Sequence, residues 1–281
     1  MKKVIFLLVM AAISLVACRK EPIGKEPNEP SIPDNPVQPL IDGYVIENAV
    51  TDYDGNSYNA IVLGEQVWLQ SNLRTTHYDD GTEIPLKNEI SDSVACYYHD
   101  DNEHDVADYG FLYNWKAVMH NSPATNANPS GVQGICPTGW HVPSNAEWVQ
   151  LADYLHSQSQ YNSCSEHHVA KALASETGWN SYDPEMDINN PHHVLCCVGN
   201  QSNSNNATGF NAFPAGFYGA FYYGCFTTNI GIEANFWSTT EHQNVSFIDI
   251  LGCSLIYNSP DINCSTYNSK RFGYSVRCLR D

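Results

Sequence analysis

The chain has 281 residues, 42% of them hydrophobic and 16% charged, with a formal net charge of −18. That charge repels nucleic acid and anionic membrane surfaces, so neither is expected to be a partner of the folded body. The acidity reflects a shortage of basic residues, 13 Lys and Arg against 31 Asp and Glu, and supports solubility more than it identifies a ligand.

The N-terminus reads Met1-Lys2-Lys3, followed by an apolar run from Val4 to Val16. A basic start before so short an apolar stretch is an export signal, too short to remain as a spanning helix. Leu15-Val16-Ala17-Cys18 resembles the lipobox of bacterial lipoproteins. This implies that residues 1–17 are removed and that Cys18 becomes a lipidated first residue anchoring the chain to a membrane. Loss of Lys2 and Lys3 takes the formal charge from −18 to −20. Residues 18–42 read as a tether, with prolines at 22, 27, 30, 33, 36 and 39. Such a composition favours extended polyproline II, about 3.1 Å per residue, holding the domain roughly 50 Å from its lipid. The expected location is the outer membrane, on the cell surface. Nine of the ten cysteines remain after Cys18. The number is odd, so in an oxidising compartment at least one is free or paired between molecules.

The globular part, residues 43–281, reads as one loop-rich domain. Tyr44 to Val50 alternates loosely, and Asp52-Tyr53-Asp54-Gly55-Asn56 supplies turn chemistry. That cluster lacks the later bidentate Glu of a calcium loop and reads as a plain turn. Ser57 to Leu63 and Gln66 to Leu69 form a hairpin around Gly64-Glu65. A helix is expected over Gly110 to His120. A second starts at Ser144, with Glu147 closing a capping box and Trp148, Leu151, Ala152 and Leu155 on one face. A short third covers Val169 to Ala174. Beyond Asn180 the chain is rich in Gly, Asn, Ser and aromatics, which suits strands and long loops. The class is α+β.

Clusters that could carry chemistry are few. His99 to Asp105 with Asp108 is rich in oxygen ligands but has no recognised metal spacing. His192-His193 with Cys196-Cys197 has zinc-like composition, yet adjacent cysteines do not chelate one ion well and in an oxidising compartment tend towards bridges. His167-His168 reads as surface. No Gly-x-Ser-x-Gly, His-Glu-x-x-His, phosphate-loop or dinucleotide signature occurs, so the expectation is a non-enzymatic protein without metal or cofactor. The aromatic run Phe217 to Gly224 is open between core strand and binding rim.

Residues 244–269 contain no Trp, Met, Glu, Gln or Lys, although these five types make up 41 of the 281 residues. About four would be expected in the 26 positions at that frequency. The segment mixes Asn, Ser, Asp, Tyr, Phe, Ile, Leu and Cys without a steady period. Tyr with Ser and Asn is the composition of adaptable binding loops.

Six separated motifs have one family resemblance. They are Asp54-Gly55-Asn56-Ser57-Tyr58 with Gln66 to Leu73, Tyr109 to Trp115, and Cys136-Pro137-Thr138-Gly139-Trp140-His141-Val142-Pro143-Ser144. Gly209 to Gly216, Phe236-Trp237-Ser238-Thr239-Thr240-Glu241 and Gly273 to Cys278 complete the set. Together they resemble the Fibrobacter succinogenes major paralogous domain of envelope lipoproteins. The resemblance implies a C-type-lectin-like fold, with two main helices on twisted antiparallel strands, and a Cys136–Cys278 bridge. Cys96 lacks the partner cysteine common in the family and is the candidate odd thiol. Some domains with a similar ending are variable proteins of diversity-generating retroelements, whose C-terminal side chains form a ligand site. Randomising both adenines of an Asn codon cannot yield the five missing residue types. On this reading His242, Asn244, Phe247, Asp249, Tyr257, Asn258, Asp261, Asn263, Tyr267, Asn268, Arg271 and Phe272 bind a protein or glycan. Cys253 and Cys264 fit untargeted substitution, or alternatively a bridge across a hairpin. Two other readings stand beside this one: a fixed envelope component, and an enzyme related to formylglycine-generating oxidases, which requires a reactive cysteine pair.

Overall fold

Two short apolar runs, Ala60 to Leu63 and Val67 to Leu69, buried along their whole length, build the first rigid piece of the protein. The computed structural model describes residues 41–99, 106–162, 168–183, 185, 191–243 and 248–281. The export signal, Cys18 and the tether up to residue 40 lie outside the described residues, as do acidic positions 100–105, Asn244 and Phe247. Strands β1 (Val45–Thr51), β2 (Ser57–Leu63) and β3 (Gln66–Leu69) form an antiparallel meander. The β2–β3 turn is the expected one. Gly64 has φ +60°, and a Cβ there would come 2.8 Å from the Tyr154 ring, so the position requires glycine.

Next come β4 (Tyr97–Tyr98), α1 (Val106–Tyr109), β5 (Leu112–Tyr113) and α2 (Trp115–Met119). The helix expected over Gly110 to His120 is therefore much shorter. Leu112 and Tyr113 pair instead with Tyr98 and Tyr97. Asn114 caps the single turn that follows by accepting from Ala117 N, and His120, at φ +44°, ends it. Strand β6 (Trp140–His141) leads into α3 (Asn145–Ser157), the one long helix among the described residues. Both halves of its capping box are formed by Ser144 and Glu147, and Trp148, Leu151, Ala152 and Leu155 are its buried stripe. Helix α4 (Ala170–Leu173) falls where expected. Helix α5 (Pro191–Cys196) overturns the strand-or-loop expectation there; Pro191 at its first position loses no helical hydrogen bond.

The remaining strands are β7 (Phe217–Phe221), β8 (Gly224–Thr228), β9 (Glu233–Gln243), β10 (Ile248–Ile256), β11 (Asn263–Asn268) and β12 (Leu279–Arg280). Leu279 pairs with both Trp68 and His141, so β12 slots into a five-stranded sheet of order β1-β2-β3-β12-β6. Cys136 and Cys278 are bonded, which joins the segment before β6 to the end of the chain. A second sheet, β11-β10-β9, is antiparallel, and β7 and β8 form a separate hairpin. The architecture is α+β, with few helices and antiparallel sheets. Among the described residues no helix is long and apolar enough to cross a membrane.

One core cluster gathers Trp68, Trp148, Phe210 and Phe236 with Leu151, Leu155 and Leu255, placing α3 against β10 and the first sheet. Within it Arg277 is fully buried. It donates to Asn72 Oδ1 at 2.8 Å, to the carbonyls of Leu69 and Phe210 at 2.9 and 2.5 Å, and to Asn211 O at 2.7 Å. Its guanidinium also lies 4.6 Å from the Phe210 ring centroid.

Candidate ligand-binding face

Strand β9 is framework. Ala234 to Thr240 are buried, and three indoles fasten their surroundings. Trp237 Nε1 donates to Tyr113 O at 2.6 Å, Trp148 Nε1 to Trp237 O at 3.2 Å and Trp115 Nε1 to Ser238 O at 3.0 Å. Trp237 N donates to Ser275 O, and Ser275 N to Asn235 O, each at 3.1 Å, so β9 is laced to the closing Gly273–Cys278 segment. The family-like ends of the C-terminal stretch are thus its rigid supports.

On that support the β10–β11 hairpin presents a mixed face. Register places Asp249 opposite His242 and Leu251 opposite Tyr267, so these four side chains share one side of the sheet. The His242 and Tyr267 rings meet edge-on at 4.9 Å. Strand β11 lies at the sheet edge, and its burial alternates: Asn263, Ser265 and Tyr267 are exposed, and Tyr267 keeps 59% of its surface. At the far end, the turn after β10 carries exposed Asn258 and Asp261. Asp261 Oδ1 lies 2.7 Å from His168 Nδ1, and Tyr257 packs edge-on against Tyr182 at 5.6 Å. At the other end Arg271 is exposed, while Phe272 is half-buried and stacks on Phe217 at 5.9 Å.

The expected site residues therefore form a strip along one hairpin rather than a pocket. Asn268 points the other way. It is buried at 5% exposure against Gly252, where an added Cβ would stand 2.2 Å from its Nδ2. Asn244 and Phe247 lie outside the described residues. Ser265 and Leu251 belong to the face and were not anticipated; their period-two spacing with Asn263 and Tyr267 and with Asp249 is the signal that finds them.

The aromatic run divides. Tyr218 and Gly219 are buried, with Tyr218 stacked on Tyr98 at 4.3 Å. Tyr222 and Tyr223, at the β7–β8 tip, are 94% and 91% exposed. The stretch is core at its start and rim at its end.

Other clusters are committed to structure. Asp52 accepts from Asn56 N and Nδ2 and from Tyr58 Oη, and Asp54 accepts from Thr75 Oγ1 and faces His77 Nδ1, so both acids tie down a turn. Cys196 is disulfide-bonded and so unavailable as a thiolate ligand. Cys96 forms no disulfide; it is buried beside Tyr98 Oη and Asn114, and burial pushes its thiol pKa up, away from nucleophilic character. Buried His141 bridges Glu147 Oε1 at 2.8 Å and Asp281 Oδ1 at 2.7 Å. Burial alone would lower the His141 pKa, but the hydrogen bonds and charges of Glu147 and Asp281 outweigh it and the value is raised.

No curated protein and no solved structure matches the chain. The model of the Fibrobacter succinogenes major domain matches residues 61–280, a span that takes in β3, α3, the β9–β11 sheet and the bridged Cys136 and Cys278, and the chain belongs to that family.

Proposed function

We propose that the protein is a surface-tethered, non-enzymatic lipoprotein of C-type-lectin-like fold whose β10–β11 hairpin binds a protein or glycan, with side chains diversified by a retroelement. The observation that carries this reading is the contrast within one sheet: β9 is buried and laced to the closing segment, while the edge strand β11 exposes Asn263, Ser265 and Tyr267. The lectin-like reading draws support from the last strand, which enters the same sheet as the first, and from the Cys136–Cys278 bridge that fixes it there. Diversification draws support from the composition of residues 244–269. The test is to compare this gene across isolates of one lineage and to measure surface-partner capture by the full chain and by a Tyr257→Ala, Asp261→Ala, Tyr267→Ala variant. Substitutions spread evenly along residues 43–281 overturn diversification, and unchanged capture overturns the site.

A second reading, a fixed envelope component, is favoured by one observation. Gly252, Cys253 and Asn268 lie inside the unusual segment yet are buried and sterically constrained. That reading expects these positions and the exposed ones to be equally invariant among isolates.

A further inference from the structure

A concavity of about 390 Å³ lies beside β2 and the end of β3, lined by Arg74, Asn59, Gln70, Ser71, Asn206 and Asn211 with Ser57 and Gly209. No lining residue belongs to β9, β10 or β11, and none is acidic, although the chain carries a net charge of −18. Arg74 is its only charged side chain. The guanidinium lies 4.7 Å from the Tyr58 ring centroid, and Nη2 donates to Ser57 O at 3.2 Å. Nε and Nη1 have no acceptor among the described residues, and no carboxylate of those residues pairs with Arg74.

The amides around it are oriented as donors. Asn59 Oδ1 accepts the backbone N–H of Asn48 at 2.9 Å, which fixes the amide and turns its Nδ2 away from that bond. Asn206 Oδ1 accepts Asn211 N at 2.8 Å, and Asn211 Oδ1 faces Asn206 Nδ2 at 3.4 Å, leaving Asn211 Nδ2 without an acceptor among the described residues. Gln70 Nε2 is used by Gly209 O at 2.8 Å, so its Oε1 serves as an acceptor. The wall is held from beneath. Asn206, Gly209 and Asn211 sit at φ +65°, +76° and +59°, and buried Arg277 grips the carbonyls of Phe210 and Asn211.

We infer that this cleft binds an acidic sugar, its carboxylate taken by Arg74 and its hydroxyls by the surrounding amides. One guanidinium matches one carboxylate in a two-pronged pair. Carboxamides supply both donors and acceptors to hydroxyls. The volume falls within the range of small-ligand sites, about 300–1,000 Å³. A polyanion such as nucleic acid is repelled by the rest of the chain. The site is separate from the β10–β11 face, so either can fail alone.

The test is calorimetric titration of the full chain with digalacturonate, with neutral galactobiose and with acetate. Digalacturonate is expected to bind about tenfold or more tighter than galactobiose and than acetate, the margin of a charged hydrogen-bonded contact. Arg74→Gln removes that margin. Because Arg74 also packs on Tyr58, Asn211→Asp serves as a second variant: Asp tolerates the left-handed backbone and places a carboxylate in the cleft, so acid-sugar binding falls while neutral-sugar binding persists. Val149→Ala, exposed on α3 and part of neither site, leaves all three titrations unchanged. Equal affinity for the acidic and neutral disaccharides, binding of neither, or indifference to both cleft variants overturns the inference.

Discussion

Cys253 Sγ and Cys264 Sγ lie 3.2 Å apart across the β10–β11 hairpin, in contact but not bonded. They lie within the register shift that separates the Gly252–Thr266 pair from the Ser254–Asn263 pair. Cys253 is fully buried, and burial pushes its thiol pKa up. The expected outcome is that a disulfide oxidant such as oxidised glutathione links the two by exchange, consuming one glutathione disulfide and releasing two glutathione thiols. Peptide mapping of the oxidised full chain should recover the two cysteines crosslinked. Closing so short a loop should raise stability by about 2–3 kcal/mol over the Cys253→Ala, Cys264→Ala variant. Alkylation of both thiols after oxidation, without prior reduction, would show that the pair stays open.

Arg277 shows how the closing segment is held without an acidic partner. Its guanidinium satisfies a side-chain oxygen and three backbone carbonyls inside the core, and burial lowers its pKa to about 9. Arg277→Ala leaves those acceptors unpaired at about 1–3 kcal/mol each in the worst case, so a total loss of about 3 kcal/mol or more is expected. Chemical denaturation of the full chain measures it. Arg277→Lys should recover only part of the loss, because an ammonium cannot span the same fork of acceptors. A loss below about 1 kcal/mol for the alanine variant would mean that the carbonyls find water.

The sequence carried the framework more legibly than the site. The β2–β3 hairpin was readable because a left-handed glycine sits between two apolar runs, and α3 because Ser144 and Glu147 cap an uninterrupted stripe. The Cys136–Cys278 pairing came from family resemblance, since spacing alone leaves connectivity open. Residues 110–120 misled because Leu112 and Trp115 have helical spacing, yet Leu112 and Tyr113 find strand partners at residues 97–98 that no local pattern reveals. The same limit hid the cleft at Arg74: its walls come from β2, residues 70–74 after β3 and residues 206–211, which only the tertiary fold brings together. Within the hairpin, exposure of Asn263 and Tyr267 followed from alternation. Burial of Asn268 did not, because its place depends on the absence of a side chain at Gly252 on the neighbouring strand.

His141 makes stability depend on pH. Its pKa is raised from 6.5 in the folded state by Glu147 and Asp281 against the opposing effect of burial. A raised folded pKa means that the folded state holds the proton more tightly than the unfolded chain does. The contribution is therefore fully present below 6.5 and is lost as pH rises through the folded value. Melting curves between about pH 5 and about pH 8 should show the wild-type chain losing stability relative to His141→Gln as pH increases. Parallel curves for the two proteins would exclude His141 as the titrating group.

Gly252 and Asn268 form the sharpest test of how the β10–β11 hairpin tolerates change. A Cβ at residue 252 would meet Asn268 Nδ2 at 2.2 Å and Phe236 O at 2.8 Å, the first a movable side-chain end and the second backbone. Gly252→Ala alone should cost about 1–3 kcal/mol by overpacking. Asn268→Ala alone should be close to neutral, because its buried Nδ2 has no hydrogen-bond partner among the described residues and removing it discards an unpaid desolvation. In the double variant the closest clash disappears, leaving the Phe236 carbonyl at 2.8 Å and the movable Thr266 Oγ1 at 3.2 Å to be accommodated, so the two changes should be non-additive by about 0.5–2 kcal/mol in the stabilising direction. A double-variant cycle by thermal denaturation reads this coupling, and strict additivity would show that the backbone carbonyl sets the limit. The result also bears on diversification. With coupling through a side chain, residue 268 changes freely while 252 is Gly, and among isolates a larger residue at 252 should occur only with a smaller one at 268. With coupling through Phe236 O, Gly252 is framework and residue 268 varies without reference to it.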